Sequence, residues 1–204
     1  MKTRNKALVL SLSAVLLVGA SVFGTMAYLT SQTDVVENTF TVGKVAITLD
    51  EAKVDPYGVE EDDAARVTEN GYKLIPGHEY VKDPTVHVAA DSEESWLFVK
   101  VVNGIEDIED ETKTIASQME AKGWTPVNGA ANVYAYKDTV KAKANVVVFE
   151  KFAVKGDADQ AQLEENADDT ITIHAYAVQK ERFDTAAAAW AAAPTAWTTE
   201  TATE

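Results

Sequence analysis

The chain has 204 residues, with 33 Asp plus Glu against 18 Lys plus Arg, 46% hydrophobic residues and no cysteine. These figures exclude a disulfide-stapled mini-protein, a collagen-like fibre and a wholly disordered chain, and they fit one ordinary globular domain. A formal charge of -15 without a local basic patch argues against nucleic acid as a partner, and the missing thiols remove thiolate catalysis, iron–sulfur ligation and thiolate zinc sites.

The N-terminus carries Lys2, Arg4 and Lys6 without an acid, followed by the apolar run Ala7 to Gly19 and then the small residues Gly24, Thr25 and Ala27. This is the pattern of an export signal. Cleavage is expected between Ala27 and Tyr28, where Thr25 and Ala27 are the small side chains that a signal peptidase accepts. The competing reading is an uncleaved anchor, since no charge occurs between Ala7 and Thr33. Loss of residues 1–27 removes three cations and leaves 15 basic and 33 acidic residues among 177, a net charge of -18. That charge suits solubility.

From Asn38 the chain alternates, with Phe40 and Val42 on one face, then Val45, Ile47 and Leu49 after Gly43. Alternation of period two predicts β-structure, and the parity change at Gly43 predicts a break there. Residues 28–43 are therefore separable from the remainder of the chain. Residues 51–71 are polar and punctuated and read as a loop, and Leu74-Ile75-Pro76-Gly77 is a turn signal. Strands are expected at Thr85 to Val88 and at Ser95 to Val102. The second of these is apolar on both faces, as in a central strand covered on both sides. A short helix is expected over Thr112 to Lys122, where Ile115 and Met119 lie four apart, with Gly123 as its C-cap. Strands resume at Asn132 to Tyr136, Ala144 to Phe149, Phe152 to Val154 and Thr170 to Val178, with a polar stretch over Gly156 to Asp169. In the tail, Asp184 is the expected N-cap of an alanine-rich helix from Thr185 to Ala193, with Trp190 as its only large anchor and residues 195–204 frayed. The fold class read from this order is mostly β: a jelly-roll-like antiparallel β-sandwich over residues 44–182, with short inserted helices and a short C-terminal helix.

The signal ending in Thr25-Met26-Ala27-Tyr28-Leu29, the segment Asn38-Thr-Phe-Thr-Val-Gly43, Val45-Ala-Ile-Thr-Leu49 and the turn Leu74-Ile-Pro-Gly-His-Glu-Tyr80 resemble the secreted TasA, CalY and camelysin family of Gram-positive bacteria. The resemblance covers the first 50 residues and the Pro-Gly turn most specifically, and the rest through strand order. It implies processing by a SipW-type signal peptidase, a jelly-roll sandwich at the cell surface, and polymerisation into fibres of the biofilm matrix. It also implies that the mature N-terminal segment completes the sheet of the next subunit. By position the donor is Tyr28 through about Val42, with Val36, Phe40 and Val42 as apolar teeth, joined by Tyr28. The same stretch reads equally well as the first strand of its own domain or as a leader. The expected partners are copies of the chain itself and other matrix or cell-wall proteins.

Members of that family are also classed as metallopeptidases, and a monomeric surface adhesin is a further alternative. The zinc-peptidase pattern His-Glu-x-x-His is not met, because His78-Glu79-Tyr80-Val81-Lys82 has Lys where the second His belongs. His87 and His174 lie in alternating segments and read as ordinary strand residues. There is no nucleophile elbow and no phosphate loop. No catalytic residue, metal or cofactor is assigned, with Ca²⁺ at Glu60 to Asp63, Glu106 to Glu111 or Asp157/Asp159 as a side alternative that lacks EF-hand spacing.

Overall fold

A computed structural model describes residues 30–32, 44–194 and Trp197. Ten strands pair antiparallel throughout: β1 (Thr30–Gln32), β2 (Ile47–Asp50), β3 (Glu79–Val81), β4 (Thr85–Val88), β5 (Ser95–Asn103), β6 (Trp124–Pro126), β7 (Val133–Tyr136), β8 (Asn145–Val147), β9 (Lys151–Ala153) and β10 (Ile171–Gln179). A five-stranded sheet has the order β1-β10-β5-β7-β6, beside a three-stranded sheet β2-β4-β8 and the pair β3-β9. The last two form a single layer. Val81 faces Lys151 and Thr85 faces Val147 in one unbroken register, so β3 and β4 are one strand interrupted at Asp83-Pro84. Proline lacks the N–H that a ladder needs, and the gap is bridged by Lys82 N–H to Glu150 O and Val148 N–H to Pro84 O.

The two layers meet in an aliphatic core. Leu97, Val99 and Val101 of β5 and Ala175 and Ala177 of β10 pack against Ile47, Val86, Val88 and Val146. Alternation puts these residues on the inward faces, and the mostly-β sandwich expected from sequence is the architecture observed, compatible with a jelly-roll-like arrangement. Tyr80 stacks on Phe152 with centroids 4.6 Å apart and Tyr72 meets Phe152 edge-on, closing one end.

Helix α1 (Ile115–Ala121) starts where the Thr114 side chain accepts from Ser117 N–H, and it buries Ile115 and Met119 as their spacing predicts. Gly123 comes next with φ +92, the left-handed conformation that ends helices. Helix α2 (Gln160–Glu165) lies in the stretch read only as polar, where Asp159 and Gln162 form a capping box. Helix α3 (Ala186–Ala191) is capped by Thr185, whose side chain accepts from Ala188 N–H, one residue later than the expected Asp184. Among the described residues no helix is long and apolar enough to cross a membrane.

Candidate functional site

Strand β1 comes from the segment just past the expected cleavage point and lies at the edge of the large sheet. Thr30 faces Val178, Ser31 faces Ala177 and Gln32 faces Tyr176. These three receiving residues sit in the most deeply buried part of the sheet: Ala177 looks into the aliphatic core, while Tyr176 and Val178 look outward under the C-terminal segment. Phe98 and Tyr176 are covered by Trp190 and Trp197, with centroids 5.4 Å apart for Phe98–Trp190 and 5.5 Å for Tyr176–Trp197. The Trp96 indole N–H donates to Phe183 O, fixing the chain that leads into α3. Trp197 is thus buried where the sequence suggested a frayed end, because its indole finds an aromatic surface that no linear pattern reveals. Ala27, Tyr28, Val36, Phe40 and Val42 lie outside the described residues, as does the charged N-terminus.

A second cluster lies between the layers, at the interruption of the β3–β4 strand. Tyr80, Lys82, Val86 and Val88 share the inward parity of that strand, and Glu51 continues the inward series Val45, Ile47, Leu49. A cation and a carboxylate therefore occupy core-facing positions. Lys82 Nζ lies 2.6 Å from Glu51 Oε2, with side-chain exposures of 9% and 5%. Asn70 Nδ2 donates to Glu51 Oε1 at 2.8 Å and to Ala52 O at 2.8 Å, and Asn70 Oδ1 accepts from Val54 N–H at 3.1 Å. The Tyr72 ring lies 5.9 Å from Lys82 Nζ. Burial, reinforced by the Glu51 charge, pushes the Tyr72 phenol well above its ordinary range.

Next to it, on the surface, Arg66 binds the carboxylates of Asp50 and Asp83 and the carbonyls of both residues. His87 Nε2 is 2.8 Å from Asp50 Oδ1 and its Nδ1 is 2.8 Å from Asn145 Oδ1. This cross-brace ties the later part of the 51–71 loop, through Arg66, to the second layer. His78 contacts Tyr57 O and the Tyr80 ring, and His174 faces Lys100 across β10 and β5. The three histidines are held in separate places, and Glu79 lies on a strand. Among the described residues no group of three or more His, Asp or Glu side chains is placed to hold a metal. Members of the acidic runs have local tasks: Asp159 caps α2, Asp110 accepts from Thr112 N–H, and Glu109 accepts from Ile115 N–H at the start of α1. Burial raises the Glu109 carboxyl above the usual range, against the lowering effect of that N–H.

A shallow cleft of about 300 Å³ runs between α1 and β9, lined by Lys113, Gln118, Lys151 and Phe152. Glu79 bridges its two lysines, at 2.7 Å to Lys151 and 3.1 Å to Lys113, which hold its carboxyl below the usual carboxylate range, Lys151 foremost. The Gln118 side chain runs along β9, accepting from Glu150 N–H and Lys151 N–H and donating to Lys151 O.

Sequence reading missed Glu51, Asn70, Lys82 and Gln118. A signal existed for two of them, since Lys82 and Glu51 break the apolar parity of the strands they extend. Comparison with protein-family models, with curated proteins and with solved structures finds no match to this chain.

Proposed function

We propose that this chain is a secreted structural subunit of extracellular matrix fibres, which polymerises when the N-terminal segment of one copy takes the edge position on the sheet of the next. The reading rests on the export signal, on the resemblance to the TasA, CalY and camelysin family, and on one structural observation. Thr30–Gln32, just past the expected cleavage point, pairs with β10 at the sheet edge. Such an edge pairing is exchangeable, because an identical segment from a neighbour offers the same backbone donors and acceptors in the same register. Exchange passed from copy to copy is head-to-tail, and a head-to-tail contact that does not close yields a filament.

Electron microscopy of protein beginning at Tyr28 tests the proposal, with regular filaments about one domain wide as the expected result. Deletion of residues 28–38 is expected to leave soluble monomer with an intact sandwich. Filaments that form unchanged after the deletion overturn strand exchange. Monomers that persist with the segment intact move the assignment to an accessory or adhesive surface protein.

A further inference from the structure

Lys82, Glu51 and Asn70 form an arrangement that stability alone does not explain. A buried ion pair is a weak source of stability, because withdrawing both charges from water costs about as much as their attraction returns. Here the pair occupies inward positions on two strands, and both carboxylate oxygens are engaged, Oε2 by the amine and Oε1 by the Asn70 amide. A primary amine and a carboxamide are thus held on one carboxylate, with the amine and the carboxylate buried, the carboxamide half-buried and the amine over the Tyr72 ring. The carboxamide oxygen already accepts a backbone N–H, from Val54, which is itself buried.

We infer that this site forms an intramolecular amide bond between Lys82 Nζ and Asn70 Cγ, with Glu51 as the proton carrier. Glu51 Oε2 takes a proton from the amine across 2.6 Å, and Nζ adds to Cγ. The charge that develops on Oδ1 is met by the Val54 N–H, a fixed donor aimed at the atom that becomes negative. The Cγ–Nδ2 bond then breaks. In all, Nζ gives up two protons and Glu51 relays both to the departing nitrogen, which leaves as ammonium while Glu51 returns as carboxylate. The step needs neither oxidant nor cofactor, and fixed geometry supplies the effective concentration that free amines and amides lack. The product joins the 51–71 loop to the strand interruption at Pro84. Its oxygen stays on Val54 N–H and its N–H stays beside Glu51.

Intact mass spectrometry of the folded full chain, referred to its determined N-terminus, reads the reaction directly. The expected mass is lower than the sequence mass by one ammonia, about 17 Da. Tryptic digestion is expected to give peptide 67–73 joined to 74–100, uncut at Lys82. The Lys82→Arg variant, which keeps a cation against Glu51, is expected to regain the full mass. Folded wild-type protein at full mass with separate peptides overturns the assignment. So does a deficit that survives Lys82→Arg, which marks succinimide formation within Asn70-Gly71.

Discussion

The two faces of the large sheet are buried by different means. On the inner face Leu97, Val99, Val101, Ala175 and Ala177 interlock with a second sheet, and residues far apart in sequence hold one another in place. On the outer face Phe98, Tyr176 and Val178 are covered by a six-residue helix and by Trp197 beyond it. The inner face is aliphatic and enclosed, while the outer one is aromatic and depends on a terminal segment with little else to hold it. Large flat rings suit that task, since two tryptophans cover what a full layer of aliphatic side chains covers elsewhere. Strand β1 stands where the faces meet, on the residues that face the core through Ala177 and the C-terminal segment through Tyr176 and Val178.

Truncating one residue on each side measures the contrast. Leu97→Ala is expected to cost about 3 kcal/mol in chemical denaturation, because the sandwich cannot collapse onto the space left. Trp197→Ala is expected to cost less, about 1–2 kcal/mol, since the loss is limited to undocking a terminal segment. Amides of α3 should then exchange faster with solvent while those of β5 stay protected. Equal losses at the two positions would show instead that both faces unfold as one unit. Thr185→Ala removes the side-chain acceptor for Ala188 N–H, and about 1 kcal/mol or less is expected, with the same confinement to α3.

The smallest effect belongs to the salt link across the cleft, remote from both faces. Glu79 has a lowered folded pKa, so its contribution is present above the ordinary glutamate range and fades as pH falls through the lowered value. Exposure and screening hold it to about 0.5 kcal/mol. Denaturation of wild type and Glu79→Gln is expected to differ by that amount near pH 6 and to converge as pH falls below the lowered value. A difference that widens on acidification would reverse the sign of the assigned interaction.

What the sequence disclosed kept to the same division. Period-two alternation located β4, β5, β7 and β10, and the two-sided apolarity of Ser95 to Val102 anticipated that β5 is covered on both faces. Alternation reports which face is buried and is silent on what buries it. Hence Trp197 read as part of a loose tail, although Tyr176 lies ready for it in space. Helix α2 escaped notice because it buries no residue, leaving only the Asp159 and Gln162 cap as a signal. Glu51, Asn70 and Lys82 are 12 to 31 residues apart in the chain, and only the pairing of β2 with β4 and the path of the 51–71 loop bring them together. Of the N-terminal segment the described part is Thr30–Gln32, which stands at a sheet edge.

Gln118 carries a final consequence. Its amide meets the outward side of β9 as a neighbouring strand would, engaging two donors and one acceptor at once. Beside it, Asp110 N–H donates to Ala153 O and Glu109 bridges Val154, so the side chain and this backbone together occupy that margin. If the proposed strand exchange operates, strands have to be refused at every margin but one, or the fibres would branch. On the proposed strand exchange, a glutamine on a short helix would keep this margin out of the assembly contact.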